Sequence, residues 1–302
     1  MSDDAPTHRV RVPTRVDFAG GWTDVRDFCA TDPGGGATLS CAITQAVEGS
    51  AFWRSGRFEL LMHADLPADN HLGSSSSAGV AYLRLSRAVA GKQPAEPVDL
   101  AERAYRLAEL VGEKGGKQDH YAAALGGVLH LRFGPEETPA QVHRIDLPVD
   151  RLRELERAVT LCYAAAEEDV SSGGSHSDVW ERFNVGEPGL VDTLRALRET
   201  VAPARTALEA GDWERLGALT RENRELARRL DPGTVTPGQD RVFAAAGKAG
   251  AFGGKPCGAG GGGCLLLVGP PDRRAAIEEA ARSAGATVMS FRVADRHAEP
   301  FS

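Results

Sequence analysis

Lysine is scarce in this chain. Lys92, Lys114, Lys117, Lys248 and Lys255 are the only five in 302 residues, and arginine supplies the remainder of the 35 positive charges. Against 42 acidic residues these leave a formal net charge of −7. No dense Lys/Arg block occurs, which argues against nucleic acid or an anionic membrane surface as the main partner. Long apolar runs are also missing: none approaches the ~20 residues of a membrane span. The start, Met1-Ser-Asp-Asp, is acidic and lacks the basic-then-apolar form of a signal peptide, so cytoplasm is the expected location. The five cysteines (Cys29, Cys41, Cys162, Cys257, Cys264) are odd in number, scattered, and form no C-x-x-C pair. A disulfide framework and a structural zinc site are therefore not expected. No internal repeat or long low-complexity stretch is evident.

What is present centres on Asp69 to Leu83. Four serines, Ser74 to Ser77, follow Gly73, and an apolar run (Val80, Ala81, Leu83, Leu85) begins after them. Serine is a good N-cap, and the run reads as a buried helix from Ser76 to about Ala90. Gly73, Ser74, Ser75, Ser76 and Ser77 thus form a loop turning into a helix N-terminus. Its free N–H groups and dipole make an anion site, with polyphosphate the natural ligand. On its own, such a stretch reads more readily as a polar linker with an ordinary serine cap, because short Gly/Ser motifs have many false positives.

Residues 9–18 alternate as a strand that runs into Ala19-Gly20-Gly21-Trp22-Thr23-Asp24. Arg15, Asp17, Trp22, Thr23 and Asp24 then lie at the mouth of that strand. After Gly34-Gly35-Gly36, residues 37–53 read as one or two strands of the same sheet and 58–62 as another. A helix is expected over 98–110, with Glu109 near its end. Gly115-Gly116 opens a short helix carrying Gln118, Asp119 and His120 in its first turn, and 128–133 alternate as a strand. In the second half, 157–163 read as a strand followed by a Ser/Gly loop at 171–177. Helices are expected over 178–184, 190–210, 213–230 and 239–250, with Pro232-Gly233 and Pro237-Gly238 as turns. Gly258 to Gly263 holds five glycines in six residues and enters a buried strand, 264–268. A helix over 270–284 and a strand over 288–293 close the chain. The layout indicates an α+β protein of two lobes, divided as 1–150 and 151–302, rather than a doubly wound sheet. Neither the G-x-x-x-x-G-K-[ST] nor the G-x-G-x-x-G pattern occurs in its proper setting.

Asp119, near a helix start, is where the dipole favours an ionised carboxylate that could accept a hydroxyl proton. The same position also suits an acid that merely stabilises its helix. Arg15 can clamp phosphate or pair with a catalytic carboxylate, and Asp24 can accept hydrogen bonds from sugar hydroxyls. Glu109 with one serine hydroxyl meets the needs of Mg²⁺, which takes few ligands from protein. Gly260 and Gly261, in the glycine run, could let backbone approach a substrate closely.

The three glycine-bearing motifs, in this order, resemble the GHMP kinase superfamily. Arg15-Val-Asp-Phe-Ala-Gly-Gly-Trp-Thr-Asp24 looks most like the sugar-kinase branch of fucokinases and D-glycero-D-manno-heptose 7-phosphate kinases. Gly115 to Gly127 and Gly254 to Gly263 agree with that branch. The resemblance implies a two-lobed fold, an N-terminal ribosomal-protein-S5-like lobe carrying the phosphate loop at 67–77 and a C-terminal ferredoxin-like lobe carrying 258–263. It implies ATP and Mg²⁺, with Asp119 as the catalytic aspartate and Arg15 as its partner. Asp24, with Thr23 and Trp22 beside it, would bind the sugar, and Ser75 and Glu109 would hold magnesium. The implied reaction moves the γ-phosphoryl of ATP to a hydroxyl of a small sugar or sugar phosphate. Two positions depart from the pattern: the family's phosphate loop has glycines where this chain has Asp69 and His71. Asp69 puts negative charge where a triphosphate should lie, and both side chains crowd the backbone cradle. The segment from Trp53 to His71 is also short. Lys117 stands where relatives often carry an aromatic residue and could give a cation to a phosphorylated substrate. Three functions stay open: a sugar kinase; an ATP-independent isomerase, lyase or transferase on a sugar phosphate; and a non-catalytic sensor.

Overall fold

A computed structural model describes residues 7–54, 57–113, 115–134, 138–165, 176–294 and 300–301. The Ser/Gly loop expected at 171–177 falls largely outside them. The chain order is β1 (His8–Ala19), α1 (Arg26–Thr31), β2 (Gly36–Arg54), β3 (Arg57–Ala64), α2 (Ser74–Val89), α3 (Pro97–Leu110), α4 (Gln118–Leu125), β4 (Val128–Phe133) and β5 (Gln141–Arg144). There follow α5 (Val149–Ala158), β6 (Val159–Ala164), α6 (His176–Asn184), α7 (Leu190–Glu199), α8 (Val201–Ala210), α9 (Trp213–Leu230) and α10 (Pro237–Lys248). The last elements are β7 (Gly253–Pro256), β8 (Gly263–Val268), α11 (Arg274–Ser283), β9 (Thr287–Met289) and β10 (Pro300–Phe301).

The fold is the expected α+β arrangement built on two sheets. The first has the order β10-β1-β2-β4-β5. β2 is 19 residues long, enough for two neighbours on one edge: Gly36–Cys41 pairs with β4 and Val47–Arg54 pairs with β3. β1 runs antiparallel along the other edge. The second sheet has the order β7-β8-β6-β9, all antiparallel. Strand period puts alternate residues on opposite faces, and each face of the first sheet has its own apolar cover. One face packs Val12, Ala51 and Leu129 against Val80, Leu85, Ala104 and Ala124 of α2, α3 and α4. The other contributes Val16, Phe18, Leu39 and Ile43 to a cluster shared with Leu161, Leu266 and Val268 of the second sheet. That shared core is what fastens one sheet to the other. No helix among the described residues is long and apolar enough to cross a membrane.

Several elements differ from the sequence reading, each for a local reason. α2 starts at Ser74, and its N-cap is Gly73 in the left-handed region (φ 75°), with no side-chain cap. Ser77, buried, instead donates its hydroxyl to the carbonyls of Pro13 and Gly73. α5 is masked in the sequence by its Arg/Glu-rich composition. The helix expected over 190–210 divides at Thr200 because Pro203 has no N–H to give residue 199. Pro237-Gly238 is the first turn of α10, set by a capping box between Thr236 and Gln239, not a reverse turn. The strand expected over 288–293 is only Thr287–Met289, with Val293 making an isolated bridge to Ile43, and β10 follows it.

The loop before α2 keeps left-handed backbone at Asp69 (φ 48°) and His71 (φ 59°) without glycine at either position. Asn70 holds it from within: its Oδ1 accepts from Leu72 N and its Nδ2 donates to the Pro67 carbonyl. A left-handed non-glycine residue costs roughly 1–2 kcal/mol, least for Asp and Asn. Asp69→Gly should therefore hold or raise the urea midpoint, and Asp69→Val should lower stability by about 1 kcal/mol, read by equilibrium denaturation.

Candidate functional site

Arg15 is 3% exposed and lies on β1 with its side chain turned inward. A buried guanidinium needs partners on several of its donors. Nε donates to Asp119 Oδ1 at 2.6 Å, Nη2 to Asp119 Oδ2 at 2.7 Å, and Nη1 to the His71 carbonyl at 2.8 Å. The pairing is bidentate, the strongest geometry available to these groups. The Arg15 pKa stays raised: burial alone would lower it, and Asp119 and Asp17 outweigh that. Asp119 occupies the first turn of α4. The α-carbon of Gly73, the N-cap of α2, comes so close that a Cβ there would meet Asp119 Oδ2 at 3.0 Å. Two helix N-termini thus converge on one carboxylate, and both stabilise its negative charge.

The glycine-rich motif closes the site from the second sheet. A Cβ on Gly258 would meet the His71 carbonyl at 3.0 Å and Arg15 Nη2 at 3.3 Å. Cys264 N donates to the Asn70 carbonyl at 3.0 Å, which latches the 69–71 loop to β8. Gly261 N donates to the Thr234 carbonyl at 2.9 Å, and a side chain on Gly260 would strike that carbonyl at 2.2 Å.

Beside Arg15 on the same face of β1 is Asp17, fully buried. Its Oδ2 accepts from Lys255 Nζ at 2.5 Å and its Oδ1 from Gly258 N at 3.1 Å. Lys255 Nζ also donates to the carbonyls of Asp17 and Pro256. Burial would raise the Asp17 pKa, but Lys255, Arg15 and the two hydrogen bonds hold it below the ordinary carboxylate range. Sequence reasoning does not single out this second ion pair. Its signal is the Arg15-x-Asp17 spacing, which shares a strand face, and a lysine set in an apolar, glycine-rich segment.

Asp24 is 3% exposed, accepts from Gln118 N at 3.0 Å, and lies under Gly116, where any Cβ would collide with its carboxylate. It borders a cavity of about 920 Å³ whose walls include Arg26, Tyr105, Arg106, Glu109 and Lys117. The structure gathers Arg15, Asp119, Gly73 and His71 at one point, with Asp24 on the other side of the α4 start.

Other expected residues have different surroundings. Thr23 spends its hydroxyl on the turn, donating to the Gly20 and Ala37 carbonyls and accepting from Ala37 N. Trp22 fills an apolar cluster with Val25, Phe28 and Leu194 and lies 6.5 Å from the Trp180 ring. Lys117 does not present a free cation. Its Nζ bonds both oxygens of Glu102 at 3.1 and 3.0 Å and stands over the Tyr105 ring. Glu102, buried and also bonded by the Tyr121 hydroxyl at 2.6 Å, is an acid that the helical pattern gives no reason to single out.

Ser74 is bonded by Asn70 Nδ2, Ser76 and Ser77 are buried, and Ser75 is exposed at the first turn of α2. Glu109 pairs with Arg26 at 3.7 Å in the cavity wall, and none of the four serines lines that cavity. No group of three or more His, Cys, Asp or Glu side chains is placed to hold a metal ion among the described residues. Ser75 and Glu109 thus do not line one cavity in this structure, although each is the hard oxygen donor that Mg²⁺ prefers when phosphate and water supply its other ligands.

Comparison with known proteins places these features in a family. A model described as "GHMP kinases N terminal domain" matches residues 37–127, and "GHMP kinases C terminal" matches 204–287. The chain is 24% identical over 184 residues to glucuronokinase 1 of Arabidopsis thaliana, covering 61% of this chain and 50% of that protein. It is 23% identical over 204 residues to a D-glycero-alpha-D-manno-heptose 7-phosphate kinase of Campylobacter jejuni, covering 67% and 58%. The chain therefore spans about half the length of these relatives. Among solved structures, a D-glycero-D-manno-heptose 1-phosphate kinase from Bacteriodes thetaiotaomicron superimposes with a TM-score of 0.75 at 20% identity, over 98% of this chain and 99% of that one. A Lactococcus lactis galactokinase complexed with galactose gives 0.72 at 15% identity, over 97% and 94%. At such identities the likeness is one of fold.

Two groups flanking Asp119 titrate in opposite senses. Burial pushes the Asp24 carboxyl up to about 7, Asp119 adding to the rise and the Gln118 N–H opposing it. Burial pushes His120 down to about 4, against the nearby charges of Asp119 and Glu102. Between about pH 4 and 7 the folded protein holds a proton on Asp24 that the unfolded chain has lost, so this group makes stability fall as pH rises. Over about pH 4 to 6.5 the unfolded chain holds a proton on His120 that the folded protein lacks. That contribution rises with pH and is lost on acidification. The two offset each other in the native sequence. Asp24→Asn should unmask a stability rising by about 1.4 kcal/mol per pH unit over that window, and His120→Leu should give a falling one. Urea denaturation across the range reads both. Separately, Lys255→Met should cost about 3–5 kcal/mol by removing the cation bonded to Asp17 and leaving that buried carboxylate only the Gly258 N–H and the neighbouring charge of Arg15. Adding Asp17→Leu should recover part of that loss, read as a double-mutant cycle.

Proposed function

The chain belongs to the GHMP kinase superfamily, and on that premise we propose that it transfers the γ-phosphoryl group of ATP to a hydroxyl of a sugar or sugar phosphate. The observation that carries this reading is the bidentate pair of buried Arg15 with half-buried Asp119, set between the N-termini of α2 and α4. Asp119 would accept the hydroxyl proton as the acceptor oxygen bonds to phosphorus and the bond to the β-phosphate oxygen breaks. Arg15 holds that carboxylate in place through two hydrogen bonds, and its charge would offset the negative charge spread over the transferring group. The first-turn N–H groups of α2 would cradle phosphate. Ser75 would hold Mg²⁺ there, and Glu109 would join it only by leaving Arg26. When bound, the ion would neutralise charge on the phosphate oxygens.

Asp24, buried at the head of the large cavity, would accept hydrogen bonds from acceptor hydroxyls. The names of the relatives favour an acceptor such as a heptose phosphate or a glucuronic sugar, and the Arg15-to-Asp24 motif adds a fucose-like sugar to the candidates. Because Glu102 already neutralises Lys117, free sugars and sugar phosphates both belong in the screen.

One observation supports a second reading, nucleotide-independent chemistry on a sugar phosphate. Asp69 is exposed in the phosphate loop, and that loop is latched to β8 through the Asn70 carbonyl. Calorimetry with ATP and Mg²⁺, followed by a sugar screen for ADP release, separates the two. The kinase reading expects nucleotide binding, sugar-dependent ADP release, and a loss of about 10²-fold or more in rate for Asp119→Asn with nucleotide binding retained. Absence of ATP binding by the native chain, with binding recovered in Asp69→Gly/His71→Gly, would overturn it in favour of the second.

A further inference from the structure

β3 is an edge strand. Among the described residues it pairs with β2 alone, and its outer edge has no strand beside it. Proteins usually protect such an edge with charged side chains, lysine above all, with proline or with a bulge, and here the charges Arg57 and Glu59 lie toward one end of the strand. Within Arg57–Ala64 there is no proline or lysine, and the pairing with β2 runs without a register shift. Instead the edge carries Leu61, 60% exposed, at the middle of the strand. Leu61 shares its sheet face with Arg57, Glu59, His63 and, just past the strand end, Asp65. Leu60, Met62 and Ala64 face the helical side, where Leu60 and Met62 pack on the α2–α4 core.

This order is self-complementary. An antiparallel pairing of two β3 strands centred on Leu61 sets Leu61 against Leu61. It also sets each Glu59 opposite a His63 and each Arg57 opposite an Asp65. On the helical side the same register sets Leu60 against Met62 and Phe58 against Ala64. Every cross-strand pair is then apolar with apolar or acid with base, the pairs that stabilise sheets. Moving the centre by one residue places Arg57 opposite His63 in one direction and Glu59 opposite Asp65 in the other. Centring the pair between two residues would set Leu61 against the helical-side residues and reverse the faces. One register is therefore selected.

We propose that β3 joins the β3 of a second copy of this chain, edge to edge about a two-fold axis through Leu61, giving a homodimer with one continuous sheet. The interface is isologous, so each charge pair occurs twice. The helices α2 to α4 of both copies lie on one side of the joined sheet.

The test is the mass of the purified full chain in solution, by light scattering after size exclusion and by sedimentation equilibrium. The native sequence is expected to be dimeric at micromolar concentration. Arg57→Asp places Asp against Asp65 twice and should weaken the dimer about tenfold or more. Arg57→Asp/Asp65→Arg restores opposite charges in exchanged positions and should restore the dimer. Leu61→Arg, which sets like charges on the two-fold axis, should yield monomer. Circular dichroism and the melting temperature of each variant report on its fold, and all three positions are exposed. A monomeric native chain would overturn the proposal, including one whose edge accepts an extended peptide of another protein. So would a dimer that ignores Arg57→Asp and Leu61→Arg, or a charge exchange that fails to recover it.

Discussion

A guanidinium taken out of water dictates much of this structure. Arg15 is almost wholly buried, and the loss of its hydration is tolerable only if fixed acceptors replace water. Asp119 supplies two and the His71 carbonyl a third. Those three bonds bring together β1, the first turn of α4 and the loop before α2, parts of the chain separated by tens of residues. Asp17 and Lys255 extend the pattern into the second sheet. The outcome is a row, Asp119, Arg15, Asp17, Lys255, in which charge alternates in sign and all but the half-buried Asp119 are buried. Each inner member is stabilised from both sides, so no one of them can shift without leaving a neighbour unpaired.

Glycine makes that row possible by letting backbone close on it. Asp24 is roofed by Gly116, and the Arg15–Asp119 pair is flanked by Gly73 and Gly258. At Gly116 a side chain would occupy the space of the Asp24 carboxylate itself. Here the requirement is proximity, and it keeps water away from groups whose charges act over short range in a low dielectric. The buried Asp24 is held close to its protonated form by the same exclusion of water. Filling the cavity beside it with sugar hydroxyls would change that balance directly.

Much of the fold was legible because its signals are local. Strand alternation located β1 and β4, a continuous apolar run located β8, and the serine and double-glycine openings located α2 and α4. Arg15, Asp24 and Asp119 stood out because a strand end, a glycine turn and a helix start are places where an arginine or an acid meets a ligand. What stayed hidden depends on distant partners. Lys255 reads as a lone lysine until Asp17 is seen 2.5 Å away. Glu102 looks like any helical glutamate until Lys117 and the Tyr121 hydroxyl close on it. Thr23 and Trp22 sit in a motif that suggests substrate contact, yet the turn takes the hydroxyl of one and an apolar cluster takes the ring of the other. The break at Thr200 needed Pro203 to be weighed against an otherwise continuous helical period.

The loop from Asp69 to Gly73 shows why losing glycine there need not alter backbone shape. Left-handed geometry at Asp69 and His71 is imposed from outside, by Arg15 on the His71 carbonyl and by Cys264 N on the Asn70 carbonyl, and from inside by the Asn70 side chain. These contacts over-determine the turn, which is how backbone outside its preferred regions persists. The change relative to the glycine-bearing pattern is thus electrostatic and steric at the loop surface, where Asp69 is exposed. The short connection has a second consequence. β3 ends at Ala64, and only a few residues carry its end into the turn at Asp69. A constraint on the outer edge of β3 is therefore a constraint close in sequence to the turn that leads into α2.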